Sequence, residues 1–176
     1  MSPPTAHESV FRAWLAEYGG IIAKVTRSYA HSVPEAEDLR QEILLQLWTS
    51  MPSFRQESSP STWIYRVCLN TAMSWLRGDG RRRRRIEPRA DLSEMPEPSA
   101  SPADAAGSKD LLDQLYGAIH AMPEFDRALV LLTLDGFPYR DIADITGMTE
   151  NHVGVALTRA RKRLAELLKG ATHELE

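Results

Sequence analysis

Residues 86 to 108, IEPRADLSEMPEPSASPADAAGS, divide the chain before any other feature is considered. Pro88, Pro96, Pro98 and Pro102 each fix their own backbone angle and disfavour helix in the residue before them, and five acids stand against Arg89. Such a stretch has too little bulk to bury, so it reads as a flexible acidic linker. The flanking parts, 1–85 and 109–170, then become two small domains, each near the size at which a hydrophobic core is only marginally adequate.

Both halves carry helical periodicity and neither alternates as a strand would, so the chain is expected to be all-α. Val10, Phe11, Trp14, Leu15, Tyr18, Ile21, Ile22 and Val25 follow the three-and-four spacing of one helical stripe, with Gly19 and Gly20 as a potential kink. A second helix starts near Pro34, where Glu35, Glu37 and Asp38 suit the positive end of the helix dipole, and runs to about Trp48. A third starts near Pro60 or Ser61 and runs into an arginine cluster.

Three sets of residues in this pattern point to binding. In the second helix, Asp38, Gln41, Glu42, Leu45 and Trp48 lie on one face, acidic at one end and aromatic at the other. That face suits docking on a basic protein helix, and is also what an ordinary amphipathic helix with an acidic first turn presents. In the third helix, Trp63, Arg66, Asn70 and Arg77 share a narrow sector, with Ile64, Cys68, Ala72 and Trp75 opposite. An aromatic plane, an arginine and an amide are groups that stack on unpaired bases, hold phosphates and read base edges. Phe54 and Arg55, in the preceding loop, are placed to close over such a base. Trp63 equally fits a half-buried core position.

The third set lies near the C-terminus. A helix from Met122-Pro123 turns Phe125, Leu129 and Leu132 inward and ends at Asp135-Gly136. A short helix from Tyr139 to Thr146 follows, Gly147 makes a turn, and Thr149 caps a last helix that buries Val153, Leu157, Ala160, Leu164 and Leu168. This is a helix-turn-helix pattern, with Asn151, Val155, Thr158, Arg159 and Lys162 on the outer face and His152 at its edge. His152 suits either a base contact or a plain exposed helix end.

The net charge of −3 conceals segregated blocks. Residues 77–85 hold six arginines against Asp79, and residues 159–169 hold five basic residues against Glu166, whereas 34–48 and 86–108 are mostly acidic. Separate basic and acidic blocks suit a chain that meets DNA on some faces and protein on others. The glycine-rich phosphate loop, the HExxH pair and paired cysteines are all missing, and His7, His31, His120, His152 and His173 lack ligand spacing. No catalysis, metal or cofactor is expected. The lone Cys68, on an apolar helix face, is assigned to simple burial. No apolar run approaches a membrane span, and the N-terminus lacks a secretion pattern, so a cytoplasmic monomer whose domains move relative to each other is expected.

The blocks DLRQEILLQLW and FRQESSPSTWIYRVCLNTAMSWLR closely resemble regions 2.2 to 2.4 of the extracytoplasmic-function (ECF) group of bacterial RNA polymerase sigma factors. MPEFDRALVLLTLDGFPYRDIADITGMTENHVGVALTRARKRL resembles region 4 of the same group. The resemblance implies a region 2 helical bundle at 1–85 and a region 4 helix-turn-helix domain at 109–170. It implies core RNA polymerase as partner, through the clamp helices of the largest subunit and the flap of the second largest, with Asp38, Gln41, Glu42, Leu45 and Trp48 on the clamp. Phe54, Arg55, Trp63, Tyr65, Arg66, Asn70 and Arg77 match the part that opens the −10 promoter element and captures an extruded base, with Arg81 to Arg85 adding phosphate attraction. Tyr139, Asn151, His152, Val155, Thr158, Arg159 and Lys162 match the −35 reader. An anti-sigma factor is implied as a further partner, and the acidic linker as a phosphate mimic in the polymerase channel.

Gly154 and Ala156 depart from the family, which often has lysine and arginine there, so the −35 contacts are expected to be weaker or differently specified. Two other readings compete. A helix-turn-helix regulator acting without polymerase leaves the first half unexplained, and a sigma-like mimic that titrates an anti-sigma factor should have a degraded base-capture region.

Overall fold

The computed structural model describes residues 6–83 and 105–173, which form seven α-helices and a short 3-10 turn, with no strand among them. The N-terminal half holds α1 (Ala6–Tyr29), α2 (Val33–Ser50), the turn Met51–Ser53 and α3 (Pro60–Arg83). The C-terminal half holds α4 (Ala105–His120), α5 (Glu124–Leu134), α6 (Tyr139–Thr146) and α7 (Glu150–His173). Helix α4 begins four residues inside the stretch assigned to the linker. The rest of that stretch, its proposed channel role, and Arg84 and Arg85 lie outside the described residues.

The helix ends follow local chemistry. Ser32 caps α2 by accepting from the Glu35 amide at 3.4 Å, while the Glu35 carboxylate accepts from the His31 amide at 2.7 Å. Thr149 caps α7 through the His152 amide at 3.4 Å. Gly147 ends α6 in the left-handed region at φ 73°, where a β-carbon would be strained. Helix α1 runs unbroken through Gly19 and Gly20.

In the N-terminal half, Ile22 and Val25 of α1, Leu39, Ile43 and Leu47 of α2, and Ile64, Cys68 and Ala72 of α3 are buried together. In the C-terminal half, Leu129 and Leu132 of α5, Ile142 and Ile145 of α6, and Val153 and Leu157 of α7 pack as the periodicity predicted. Each fully buried aliphatic side chain contributes about 1.5–3 kcal/mol of transfer free energy.

The two halves share one large core cluster, beside a smaller one of Ile119, Met122, Val130 and Ala160 within the C-terminal half. Tyr29, fully buried, donates from its hydroxyl to the Glu124 carbonyl at 2.7 Å. Arg127 of α5, also buried, donates to the carbonyls of Met122 (2.9 Å), His120 (2.7 Å) and Ser28 (3.3 Å). Burial works against its charge, and Tyr29 and Glu124 partly offset that. Arg27 pairs with Asp113 at 2.6 Å and stacks on the Tyr116 ring. These contacts seat α4 and α5 on the end of α1.

Candidate nucleic-acid and protein interfaces

The acidic-aromatic face of α2 is built as the spacing predicted and stays open to solvent. Asp38 and Gln41 are exposed and Glu42 is half-buried, with Leu45 54% and Trp48 37% exposed at the far end. Leu39, Ile43 and Leu47 on the opposite side hold the helix in the core, so the outer stripe contributes little to folding. The Trp48 ring is fixed rather than free, since His7 and Phe11 of α1 meet it edge-on at 4.2 and 5.1 Å.

Around the start of α3 the structure assembles an aromatic cluster. Trp14, Phe54 and Trp63 lie within 5.3–5.6 Å of one another in tilted and T-shaped contacts. Beside them opens a pocket of about 410 Å³ lined by Ser53, Phe54, Arg55, Glu57, Ser58, Trp63, Arg66 and Asp144. Trp63 is half-buried, in contact with the cluster and lining the pocket. The loop above it has Gln56 at φ 58°, an uncommon conformation for a non-glycine residue. Ser59 anchors the loop by accepting from the Thr62 amide at 3.1 Å.

Asn70 is not part of this pocket. It is exposed and lines a different groove of about 470 Å³, with Glu42, Gln46, Thr71, Ser74, Trp75 and Gly78. Arg77 is exposed beyond it, donating to the Ser74 hydroxyl at 3.1 Å. The residues expected to form one capture site are therefore spread along α3 over two concavities.

Tyr65 requires a correction. Expected on the strand-binding surface, it is fully buried, with its hydroxyl donating to Asp135 at 2.5 Å and its ring edge-on to Phe137 at 5.1 Å. Burial, reinforced by that hydrogen bond, raises its phenol well above the ordinary value. The spacing held the signal: Tyr65, Leu69, Ala72 and Leu76 recur at steps of four, three and four, a second inward stripe beside Ile64 and Cys68. Cys68 is buried and its thiol is raised by desolvation, consistent with a packing role.

On the C-terminal half, Asn151, His152, Val155, Thr158, Arg159 and Lys162 form an exposed face on α7, while Val153, Leu157 and Ala160 anchor the other side. Tyr139, 42% exposed at the start of α6, lies across Gly154, where an added β-carbon would meet its ring at 3.5 Å. The missing basic side chain at 154 is thus matched by an aromatic ring beside the outer face. Among the described residues no helix is long and apolar enough to cross a membrane.

Comparison with known proteins finds two family models matching in succession along the chain. The model for Sigma-70 region 2 matches residues 9–82 and that for Sigma-70 region 4 matches residues 112–164. The ECF RNA polymerase sigma-E factor of Haemophilus influenzae is 29% identical over 164 residues, covering 89% of this chain and 86% of the relative. The RNA polymerase sigma-H factor of Pseudomonas aeruginosa is 29% identical over 153 residues, 83% of this chain and 79% of the relative. Among solved structures, the sigma factor RpoE of Bartonella quintana, in complex with the anti-sigma factor NepR, aligns with a TM-score of 0.71 at 25% identity. That alignment covers 92% of this chain and 98% of the other. CnrH, in complex with the cytosolic domain of CnrY, aligns with a TM-score of 0.64 at 18% identity and supports the fold alone, over 92% and 89% of the two chains.

Proposed function

Because the chain belongs to the sigma-70 family, in its ECF group, we propose that it binds core RNA polymerase, directs it to specific promoters and helps open their −10 element. The observation that carries this reading is the pairing of the family's two regions, in order, with three separately positioned faces: α2, the start of α3 and α7.

In this reading the exposed α2 stripe of Asp38, Gln41, Glu42, Leu45 and Trp48 is the polymerase anchor. Its carboxylates meet the basic side of a clamp helix, and the Trp48 ring, already fixed by His7 and Phe11, has little freedom left to lose on docking. The flap of the second-largest subunit is assigned to the C-terminal half. The α7 face of Asn151, His152, Val155, Thr158, Arg159 and Lys162, with Tyr139 beside it, enters the −35 major groove while its basic residues hold phosphates.

The pocket beside Trp63 receives a base extruded from the −10 element. Extrusion costs a few kcal/mol of stacking and pairing, and stacking on one aromatic side chain returns about 1–3 kcal/mol. Phe54 and Trp63 supply that stacking, Arg55 and Arg66 the phosphate attraction, and Asn70 and Arg77 continue the contact along α3. An anti-sigma protein is the natural repressor, in keeping with the complex that the Bartonella relative forms with its anti-sigma factor.

The test is binding to core RNA polymerase by the native chain and by a variant carrying Asp38→Ala and Glu42→Ala. Tight binding weakened by at least tenfold in the variant is expected, since close interfacial charge pairs couple by about 1.5 kcal/mol or more. Absence of binding by the native chain, with duplex DNA still bound, would move the reading to a regulator that works without polymerase.

A further inference from the structure

The outer face of α7 is polar at its edges and apolar at its centre. Successive residues of a helix turn by about 100°, so the direction opposite the buried Val153, Leu157 and Ala160 falls on Val155, which is 54% exposed. Asn151 stands one turn before it on the same face, with Thr158, Arg159 and Lys162 one and two turns after. Thr158 donates its hydroxyl proton to the Gly154 carbonyl at 2.9 Å, so that proton is already engaged within the helix. Gly154 has no side chain, and the half-exposed Tyr139 ring fills its flank. The centre of the face therefore offers the Val155 methyls and aromatic carbon, inside a rim of amide and cations.

That placement does nothing for the fold, which α7 joins from its other side. A single exposed aliphatic residue is ordinary on a protein surface. This one, however, occupies the middle of the face that a helix-turn-helix lays along base edges. Its branched β-carbon also lowers helix propensity slightly, a small cost that packing elsewhere in the chain does not repay.

We propose that Val155 is a methyl reader, packing in the −35 duplex against the C5 methyl of a thymine, with the Tyr139 ring closing the side left open by Gly154. The inference rests on the reading of α7 as the −35 face, and it names the base chemistry that this face selects. Among base edges in the major groove, the thymine methyl is the apolar group, and the others are hydrogen-bond donors and acceptors. Against guanine, adenine or cytosine, Val155 would strip water from N7, O6 or an amino group and return no hydrogen bond. Gain and penalty thus point to the same base.

The neighbours of Val155 fit that use. Valine is short, and touching a methyl requires the helix to lie close to the groove floor. Gly154 and Ala156, on either side, leave room for such an approach where longer side chains would hold the backbone away. Asn151 is of the type that pairs bidentately with adenine, while Arg159 and Lys162 suit phosphates. The small residues at 154 and 156 then exchange phosphate attraction for base selection.

The test uses the holoenzyme formed from the full chain and core RNA polymerase, with a pool of random-sequence duplex DNA. The duplex it selects is resynthesised with deoxyuridine replacing thymidine at one upstream position at a time, which removes one methyl and leaves base pairing intact. At one such position the native chain is expected to lose about fourfold in affinity, the worth of one buried methyl. Val155→Ala is expected to lose about as much on the thymidine duplex and to be indifferent to deoxyuridine there, so the two deletions do not add. Since Val155 is exposed and alanine favours helix, this variant keeps its fold. Deoxyuridine without effect at every upstream thymidine would overturn the proposal, as would a loss that Val155→Ala leaves undiminished. A holoenzyme that assembles yet selects no upstream element would remove α7 as the −35 face, and the methyl reader with it.

Discussion

Replacing Trp63 separates its two roles. The side chain is half-buried and touches Trp14 at 5.6 Å and Phe54 at 5.5 Å, ring centre to ring centre. Full burial of a tryptophan makes its truncation to alanine cost about 3–5 kcal/mol, and each aromatic pair adds about 0.5–1.5 kcal/mol beyond area. With the side chain only half-buried, Trp63→Ala is expected to lose roughly 2–3 kcal/mol. Trp63→Phe keeps a ring in the cluster, and its loss is expected to stay near 1 kcal/mol. Urea unfolding followed by far-ultraviolet circular dichroism suits this comparison, because fluorescence would change with the tryptophan itself. Strand opening, read by permanganate reactivity of promoter thymines in the polymerase complex, is expected to fall in both variants, since phenylalanine offers less stacking surface. An unfolding midpoint unmoved by Trp63→Ala would refute the core role. Normal strand opening by a stably folded Trp63→Phe would remove the stacking role.

Arg127→Ala strips the donor from three backbone carbonyls in a buried place, and a loss of about 3–5 kcal/mol in urea unfolding is expected. A loss under 1 kcal/mol would mean that water replaces the guanidinium. Tyr65 has a folded-state pKa raised by burial and by Asp135, so its contribution is fully present below the ordinary phenol value of 10.0 and is lost as pH rises beyond it. Stability measured from pH 8 upwards should therefore decline more steeply in the native chain than in Tyr65→Phe, and parallel curves would contradict the assignment. Gly147→Ala places a β-carbon at φ 73° and is expected to cost about 1 kcal/mol, mainly in the helix-turn-helix; an unchanged melting temperature would contradict the strained turn.

Helices α1, α2, α3, α5, α6 and α7, the Thr149 cap and the inward faces of α5 and α7 were legible because each depends on residues three or four apart, whereas α4 and the Ser32 cap were not read. The exposed α2 stripe and the α7 face followed from the same spacing, as their complements. Closure of the two halves was not legible. It depends on Tyr65 meeting Asp135 and Tyr29 meeting Glu124, residues 70 and 95 positions apart, and no local period encodes such a contact. Family resemblance placed Tyr65 on the strand surface, although its own stripe with Leu69 and Ala72 pointed inward. Glu57, Ser58 and Asp144 were missed around the pocket for a related reason, since a loop and a distant helix contribute walls that only the folded chain brings together.

Gly154 carries the last test of the α7 face. Resemblance alone would count its missing side chain as a lost phosphate contact. In the fold, the Tyr139 ring lies over the position at 3.5 Å from where a β-carbon would stand, an ordinary contact distance rather than a clash. Gly154→Ala is therefore accommodated, and the gain in helix propensity of about 1 kcal/mol should appear in stability. Gly154→Lys goes further, because a lysine leaving the helix beside Tyr139 reaches towards the same side as Thr158 and Lys162. If that side meets duplex DNA, one more phosphate is neutralised, and the slope of log affinity against log salt should steepen by about 0.9. Fluorescence anisotropy on duplex DNA at several salt concentrations measures that slope for the native chain and both variants. A steeper slope for Gly154→Lys, with Gly154→Ala unchanged, would place position 154 within reach of the phosphates. Equal slopes for all three would turn this edge of α7 away from the DNA, leaving the groove contact to Asn151, Val155 and Arg159.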